Sequence, residues 1–294
     1  MHLKQADFKN ILKAALKEDA AFSDITTQNL IEANLKVRAD IIVKQDCILA
    51  GLSLVKSTFK TIDPKINFKA YYCDADQIKK NTKVLSIFGK ARAILSAERV
   101  ALNYLSHLSG IATQTHEFVR RVYPNNVKIL DTRKTIPGLR TLQKYAVRVG
   151  GGFNHRKSLS EAVLIKTNHL RLLLKSDNFK EKVIKEAIYS TRKNAKGKIV
   201  EIEVANLSEF NAALKARPDI IMLDNFNVDL IRMAVRIRND LSLRKTLLEV
   251  SGGVNLENVE RIAKTGIDLI SVGSLTHSAK AVNLALEIVT RGIK

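Results

Sequence analysis

Three observations predict an α/β protein in which a small antiparallel sheet is followed by a parallel β/α barrel. Between Val37 and Phe88, short runs of alternating or β-branched residues are separated by polar turns. Beyond Val127, apolar runs of strand length alternate with helical patterns, the order typical of a parallel sheet. Each of those later runs ends in polar or small residues. In a barrel all such strand ends lie on one face, where active sites form.

Two helical features precede the barrel. Apolar residues recur at helical spacing from Phe8 to Leu16 and predict a short amphipathic helix. A longer helical pattern runs from Ile94 to about Val122. Because Ser109-Gly110 interrupts that pattern, we expect two helices there, joining the two domains.

The barrel elements can be assigned from the same alternation. An open doubly wound sheet would use the same strand ends, but no GxGxxG follows the first strand, which disfavours a dinucleotide-binding fold. The candidate strands are Val127–Arg133, Ala162–Asn168, Ile199–Val204, Asp219–Asp224, Leu247–Ser251 and Leu269–Gly273. The candidate helices are Asp177–Arg192, Leu207–Ala216, Val228–Asp240, Leu256–Thr265 and Ala279–Ile293.

The stretch from Asp131 to His169 concentrates cations at strand ends. Like charges held together in a partly desolvated site repel each other and need an anionic partner. A solvated basic loop is the alternative, and it is the commoner explanation for lysine and arginine clusters. Because these cations follow strand ends and a glycine run, a polyanionic ligand is the preferred hypothesis. The segments are Asp131-Thr132-Arg133-Lys134, Gly150-Gly151-Gly152, Asn154-His155-Arg156 and Lys166-Thr167-Asn168-His169.

The other strand ends offer complementary groups. Ser251-Gly252-Gly253 and Ser271-Val272-Gly273-Ser274 each precede a helical pattern, where bare backbone N–H groups bind phosphate; tight turns are the alternative explanation. Alternation places Glu201 and Glu203 on one strand face. Buried carboxylates need a cation, a metal or hydroxyl groups, so Glu203 and Asp224 suit sugar hydroxyls or Mg²⁺. Together these ends suit a phosphorylated sugar that reacts with an anionic partner.

Composition and charge narrow the classes of function. The 294 residues are 46% apolar, enough for a sizeable core, and carry a net charge of +20. The lysines are scattered and no nucleic-acid-binding motif accompanies them, so small anionic substrates suffice to explain the charge. Cys47 and Cys73 match no metal-ligand spacing, and neither a secretory signal nor an apolar membrane span is found. We expect a soluble, cytoplasmic protein without nucleic-acid or membrane partners.

Motifs along nearly the whole chain resemble those of the quinolinate phosphoribosyltransferases, type II phosphoribosyltransferases also called nicotinate-nucleotide pyrophosphorylases. The resemblance implies an amino-terminal α/β sandwich domain over residues 1–115, joined by a carboxyl-terminal helix at 279–294. It also implies an incomplete, seven-stranded β/α barrel over residues 116–278. The motifs are Asp24-Ile25-Thr26-Thr27, Glu98-Arg99-Val100-Ala101-Leu102-Asn103, Leu108-Ser109-Gly110-Ile111-Ala112-Thr113, Asp131-Thr132-Arg133-Lys134-Thr135, Gly150-Gly151-Gly152, Asn154-His155-Arg156, Leu223-Asp224-Asn225-Phe226, Ser251-Gly252-Gly253 and Ser271-Val272-Gly273-Ser274-Leu275-Thr276-His277.

The resemblance implies a reaction and an assembly. The family transfers phosphoribosyl from 5-phosphoribosyl 1-diphosphate to quinolinate with decarboxylation, giving nicotinate mononucleotide, diphosphate and CO₂ in de novo NAD biosynthesis. This is the pentosyltransferase activity of a nicotinate-nucleotide diphosphorylase (carboxylating), and it uses Mg²⁺. A homodimer or higher homo-oligomer is expected, in which the neighbouring subunit completes each active site.

Roles for individual residues follow from the same resemblance. Arg133, His155 and Arg156 would hold the two ring carboxylates, and Arg99 of the partner subunit would close over them. Lys134 and Lys166 would face the reacting groups and the diphosphate. Glu203 and Asp224 would bind the ribose hydroxyls and, directly or through water, Mg²⁺. The other expected substrate-binding residues are Thr132 and, around the 5′-phosphate, Ser251, Gly252, Gly253, Gly273 and Ser274.

One position departs from the family pattern. Thr167 stands where the family usually has aspartate, so an acidic group near the metal or the diphosphate is replaced by a hydroxyl. His169 and His277 are expected to be structural histidines and not phosphate contacts. Two other functions are considered: a related transferase that uses another ring acid such as nicotinate, and a basic nucleic-acid-binding protein. A monocarboxylate would leave one cationic subsite unpaired, which favours a dicarboxylate.

Overall fold

The computed structural model describes residues 3–173 and 180–289. Contacts between Cα atoms divide the chain into two compact units. The first unit contains the described residues up to His116, Thr135–Gly151 and the described residues from Leu275. The second contains Glu117–Lys134 and Gly152–Ser274. Thr135–Gly151 thus belongs to the first unit, although it lies within the range 116–278 expected for the barrel.

The first unit has an antiparallel sheet, as the sequence predicts. Its strands are β1 (Lys36–Val43), β3 (Asn67–Ala70), β5 (Thr82–Lys90) and β12 (Leu284–Val289), and the strand order is β12-β1-β5-β3. A separate two-stranded sheet pairs β2 (Cys47–Ile48) with β4 (Gln77–Ile78). The helices are the 3₁₀ turn Gln5–Asp7, α1 (Lys9–Glu18), α2 (Ile25–Leu30), α3 (Leu52–Ile62), α5 (Arg140–Val149) and most of α4 (Ala91–Val122).

Alternation along the strands buries one face of this sheet. Ile41 of β1 and Leu85 of β5 are fully buried, and they join one apolar core with Phe59 of α3 and Ile94 of α4. Burying a side chain of this size contributes about 1.5–3 kcal/mol. The predicted amphipathic helix near Phe8–Leu16 is confirmed as α1, whose Leu12 and Leu16 are buried.

The helix predicted at 279–294 is wrong over the residues that the structure describes. Leu284–Val289 form strand β12, which pairs antiparallel with β1. Leu284, Leu286 and Ile288 pack against the core of the first unit, each partly buried. The two-residue alternation of these side chains, combined with the open edge of β1, therefore outweighed the helical pattern.

The helix break expected at Ser109-Gly110 is also wrong, because α4 is continuous from Ala91 to Val122. Gly110 serves close packing: a Cβ atom there would lie 2.1 Å from the carbonyl oxygen of Lys280. Ser109 Oγ accepts a hydrogen bond from the backbone N–H of Ala50 over 3.0 Å. Both small residues therefore make tertiary contacts within the helix, where glycine is tolerated at about 1 kcal/mol.

The second unit contains the parallel sheet, and all six predicted strands are confirmed. They are β6 (Lys128–Leu130), β7 (Val163–Ile165), β8 (Val200–Val204), β9 (Ile220–Asp224), β10 (Leu247–Ser251) and β11 (Leu269–Ser271). The helices are α6 (Thr167–Leu173), α7 (Lys180–Asn194), α8 (Leu207–Ala216), α9 (Val228–Asp240) and α10 (Val259–Ala263). The short helix α11 (Ser274–His277) follows β11, and all of it except Ser274 belongs to the first unit. The start of the helix predicted at Asp177–Arg192 lies outside the described residues.

The sheet is open, as expected for an incomplete barrel. Its strand order is β6-β11-β10-β9-β8-β7, so β6 and β7 form the two edges. The expected number of seven strands is wrong: within the described residues this sheet has six. Phe153 makes a single parallel bridge with Leu130 beside β6. The chain after the triple glycine thus runs along the edge of the sheet for only one residue.

The strand register brings polar strand ends to the same edge. Ser251, the last residue of β10, lies opposite Asp224, the last residue of β9. Glu203 of β8 lies opposite Met222 of β9, two residues before Asp224. Because all these strands are parallel, their carboxyl ends form one edge of the sheet, where the sequence predicts the site.

Candidate active site

Four charged residues meet at the carboxyl edge of the second unit. Burial raises the pKa of Asp224, and the negative charge of Glu203 raises it further. Asn225 and the positive charges of Lys134 and Lys166 lower the same pKa. The structure therefore brings together all four residues expected to act in catalysis. Their catalytic roles stay predictions.

Thr167, the position that departs from the family pattern, holds Glu203. Its hydroxyl donates to Glu203 Oε1 over 2.9 Å, and its backbone N–H donates to the same oxygen over 3.3 Å. The neighbouring His169 accepts a hydrogen bond at Nδ1 from the backbone N–H of Lys166 over 2.9 Å. Thr167 thus keeps a hydrogen bond without a charge, and His169 has the structural contact expected of it.

A second group of cations lies around the loop after the triple glycine. The backbone N–H of His155 donates to Oδ1 of the fully buried Asp131 over 2.9 Å. Arg156 Nη1 donates to the carbonyl oxygen of Ala162 over 2.9 Å. Burial lowers the pKa of Arg156, and the positive charge of Arg133 lowers it further. Two guanidinium groups that repel each other in this way favour a bound anion.

Two buried carboxylates face the imidazole of His155. Nε2 of the ring lies 3.0 Å from Glu201 Oε2 and 3.6 Å from Glu249 Oε1. Ser271 Oγ donates to Glu249 Oε1 over 2.5 Å. Burial raises the pKa of Glu249 to about 8, and the charge of Glu201 adds to that rise, while His155 and Ser271 oppose it. These three potential ligand atoms lie within 4.8 Å of one another, so the group can hold a proton or a cation.

The loop after β10 has a backbone that only glycine accommodates. Gly252 has φ +94°, and a Cβ atom there would lie 2.2 Å from Asn225 Oδ1. The backbone N–H of Asn225 donates to the carbonyl of Ser251 over 2.9 Å, which ties the ends of β9 and β10 together. This geometry supports the tight-turn explanation for Gly252. The phosphate role of the two glycine loops stays a prediction.

The remaining predicted residues divide between the units. Thr132 lies in the second unit, where its Oγ1 accepts a hydrogen bond from the backbone N–H of Lys134 over 3.0 Å. Arg99 lies on α4 in the first unit and is exposed. Arg99 is therefore not one of the residues that form the two charged groups of the second unit. His277 is exposed, and its Nδ1 lies 2.5 Å from Ser278 Oγ.

Sequence reasoning missed Glu249. The signal available was a single glutamate in the otherwise apolar run Leu247–Val250, on the strand face that it shares with Ser251. A charged residue inside a buried strand needs a partner, and here the partners are Ser271 of β11 and the imidazole of His155.

An open β/α sheet whose carboxyl edge presents cations beside acidic residues defines an enzyme class that binds anionic substrates. Models of the amino-terminal and carboxyl-terminal domains of quinolinate phosphoribosyl transferase match residues 24–109 and 111–287. The chain belongs to this family.

Two curated relatives and one solved structure are consistent with membership of this family. The chain is 41% identical over 285 residues to a probable nicotinate-nucleotide pyrophosphorylase [carboxylating] of Methanocaldococcus jannaschii, covering 95% of this chain and 96% of that protein. It is 37% identical over 283 residues to the nicotinate-nucleotide pyrophosphorylase [carboxylating] of Mycobacterium leprae, with 95% and 96% covered. The solved nicotinate-nucleotide pyrophosphorylase of Francisella tularensis is similar at a TM-score of 0.89 and 40% identity, with 98% of each chain covered. The predicted α/β fold is thereby confirmed.

Proposed function

We propose that this protein transfers the phosphoribosyl group of 5-phosphoribosyl 1-diphosphate to quinolinate, with loss of CO₂, and so forms nicotinate mononucleotide for NAD biosynthesis. The observation that carries the proposal is the meeting of Lys134 and Lys166 with Glu203 and Asp224 at one sheet edge. Lysines suit a diphosphate leaving group, and carboxylates suit the ribose hydroxyls. The close pair of arginines in the same unit suits a ring that carries two carboxylates.

The first step is displacement of diphosphate by the pyridine nitrogen. The C–N bond forms as the anomeric C–O bond breaks, and the diphosphate leaves with the electron pair. Positive charge develops on the sugar, where Glu203 and Asp224 stabilise it, while Lys134 and Lys166 stabilise the leaving group. The pyridine nitrogen has no proton to lose, so no side chain needs to act as a strong base.

Decarboxylation follows from the charge that this step creates. Once the ring nitrogen is quaternary, the electron pair left by CO₂ at C2 is stabilised by the adjacent positive charge. A proton from water then replaces the carboxylate at C2. Arg133 and Arg156 would bind the ring carboxylates in the first step, with His155 beside them.

Glu203 and Asp224 would hold Mg²⁺, directly or through water. Both offer the hard oxygen ligands that Mg²⁺ prefers, and they lie on neighbouring strands, where Glu203 is opposite Met222, two residues before Asp224. When bound, the ion would neutralise the charge of the diphosphate. Turnover should therefore stop in excess chelator and return with added Mg²⁺; undiminished turnover in chelator would contradict this part of the proposal.

Two subunits would build each active site, with Arg99 of the partner subunit closing over the ring acid. The exposure of Arg99 on α4 supports this arrangement. Mixing subunits tests it: Arg99→Ala and Lys134→Ala proteins, each inactive alone, should regain activity after joint unfolding and refolding. Failure to recover activity in verified mixed oligomers would show that each chain completes its own site.

The acceptor acid is tested by direct competition. Purified protein is supplied with 5-phosphoribosyl 1-diphosphate, Mg²⁺ and either quinolinate or nicotinate, and nucleotide products are separated by chromatography. We expect product only with quinolinate, since nicotinate has only one of the two carboxylates that this cationic subsite would bind. Product from nicotinate alone would favour the related transferase considered from the sequence.

We also propose that the protein is cytoplasmic and has neither nucleic-acid nor membrane partners. A cytoplasmic location is supported by the free thiols of Cys47 and Cys73, which suit a reducing compartment. Among the described residues, no helix has both the length and the apolar composition that crossing a membrane requires. The charge of +20 would attract nucleic acid, so a nucleic-acid-binding function is the alternative to test. Binding that is weak and insensitive to salt would exclude a nucleic-acid function, and tight, steeply salt-dependent binding would support one.

A further inference from the structure

We infer that Glu201 and Glu249 are positioning residues that fix the tautomer of His155 and thereby hold Arg156 for a ring carboxylate. The inference rests on the proposed function and deepens it, because it assigns roles within the dicarboxylate subsite. It also gives His155 a role different from the direct carboxylate contact that the family resemblance implies.

Both ring nitrogens of His155 face protein groups. Nδ1 accepts a hydrogen bond from the backbone N–H of Arg156 over 2.8 Å, so Nδ1 presents a lone pair and not a proton. A neutral imidazole carries one proton, which must then lie on Nε2. Nε2 faces Glu201 Oε2 at 3.0 Å and Glu249 Oε1 at 3.6 Å. Nε2 is itself buried beside the two carboxylates, so it is not exposed to a substrate carboxylate.

The two carboxylates are placed by strands and hardly reached by solvent. The side chains of Glu201 and Glu249 are 3% and 0% exposed, and they project from β8 and β10. Ser271 on β11 donates to Glu249 Oε1. The other oxygens, Glu201 Oε1 and Glu249 Oε2, have no hydrogen-bond partner within residues 3–173 and 180–289. Buried carboxylates without donors are costly, and the imidazole of His155, whose Nε2 lies 3.0 Å from Glu201 Oε2, is placed to donate to the pair.

A metal ion is the alternative occupant, because one histidine and two glutamates within 4.8 Å resemble a metal-ligand set. A metal ion would require a lone pair on His155 Nε2. The hydrogen bond from Arg156 already takes the lone pair of Nδ1, which leaves the proton on Nε2. The geometry therefore favours a proton at this position.

As a consequence, Arg156 is restrained at both its backbone and its guanidinium group. Its backbone N–H is held by His155 Nδ1, and its Nη1 by the carbonyl of Ala162. The backbone of His155 is held in turn by the buried Asp131. If the tautomer changed, an N–H at Nδ1 would oppose the N–H of Arg156, and the guanidinium would lose its orientation.

The first test separates the two substrates. Glu201→Gln replaces the acceptor by an amide that can also donate, so it no longer dictates the tautomer. We expect KM for quinolinate to rise about tenfold, the effect of one hydrogen bond to a charged group, while KM for 5-phosphoribosyl 1-diphosphate changes less than about twofold. The matched control is Glu209→Gln, which alters a buried carboxylate that accepts from the backbone N–H of Ala205 at the start of α8. Equal rises in both KM values, or the same rise in the control, would overturn the inference.

The second test needs no activity. The chain has six histidines, so long-range ¹H–¹⁵N spectra of ¹⁵N-histidine-labelled wild-type protein are simple, and His155→Asn assigns the resonance. A neutral ring protonated at Nε2 is expected; protonation at Nδ1, or a bound metal found by elemental analysis and lost in Glu249→Gln, would overturn the inference. An inactive wild type with the expected tautomer would instead count against the proposed function.

Discussion

Thr167 Oγ1 donates a hydrogen bond to Glu203 Oε1 over 2.9 Å, at the position where the family pattern has aspartate. The same oxygen accepts from the backbone N–H of Thr167 over 3.3 Å. A hydrogen-bond donor here orients the carboxylate of Glu203, whereas an aspartate would place a second negative charge beside it. This chain therefore orients Glu203, the proposed ribose-binding and metal-binding carboxylate, with a neutral threonine.

Thr167→Val tests this support. The substitution keeps the shape of the side chain and removes the hydroxyl, so Glu203 loses one donor. We expect KM for 5-phosphoribosyl 1-diphosphate to rise by about three- to tenfold, with KM for quinolinate nearly unchanged. Steady-state kinetics in each substrate measures the effect. Thr191→Val, which removes a hydroxyl bound to the carbonyl of Ala187 within α7, is the control and should behave as wild type.

Lys134→Ala tests the leaving-group role. Its positive charge acts on Asp224 at the strand ends, where the diphosphate would depart. Loss of that charge should lower kcat by about 10²-fold or more. Lys264→Ala, at an exposed lysine paired with Glu260 on the surface, is the control and should keep normal turnover. A near-normal kcat for Lys134→Ala would show that this lysine is not at the reacting centre.

Glu249 makes a pH-dependent contribution to stability. Burial raises its pKa from 4.5 to about 8, so the folded state binds a proton that the unfolded state releases. The contribution is fully present below pH 4.5 and is lost as the pH rises through about 8. Glu249→Gln mimics the protonated form, so its free energy of unfolding relative to wild type should increase between pH 5 and pH 8.5. Denaturant titrations at the two pH values measure this, and an unchanged difference would contradict it.

His107 should act in the opposite direction. Its Nε2 lies 2.9 Å from Gln143 Nε2, and Gln143 Oε1 already accepts from the backbone N–H of Ile136, so the imidazole must be the acceptor. Burial lowers the pKa of His107 below 6.5. Its contribution is present above pH 6.5 and is lost as the pH falls towards the lowered value, where the unfolded state binds the extra proton.

His107→Gln isolates that contribution. The variant should show a smaller loss of unfolding free energy than wild type when the pH falls from 7 to 5. His116→Gln, elsewhere on α4, is the control and should keep the wild-type dependence. Identical pH dependence in wild type and His107→Gln would show that His107 is not an obligatory acceptor.

The barrel strands could be predicted from the sequence because each buried run ends abruptly in polar residues, as β9 does at Asp224. The alternation that placed Glu201 and Glu203 on one face holds in the structure. The errors arose where tertiary packing outweighs local pattern. The sequence pattern at Gly110 predicts a helix break, but this glycine instead allows the close approach of Lys280. The segment at Leu284–Val289 has a helical pattern, but it adds to the open edge of β1.

The candidate site, like the fold, could be predicted only in part from the sequence. Cations at strand ends were visible in the sequence because charges that follow buried runs are unusual. The contacts of Glu249 with His155 and Ser271 were not, because they depend on the strand order of the sheet, which places β11 beside β10 and separates β8 from β10 by β9. That Thr167 donates to Glu203 depends on where α6 begins, directly after the end of β7.

Release of ¹⁴CO₂ from quinolinate labelled in the C2 carboxylate tests the proposed reaction directly. The reaction contains the protein, 5-phosphoribosyl 1-diphosphate and Mg²⁺, and each component is omitted in turn. We expect release only in the complete mixture, with nicotinate mononucleotide formed in equal amount. No release from folded protein, or release without 5-phosphoribosyl 1-diphosphate, would contradict it.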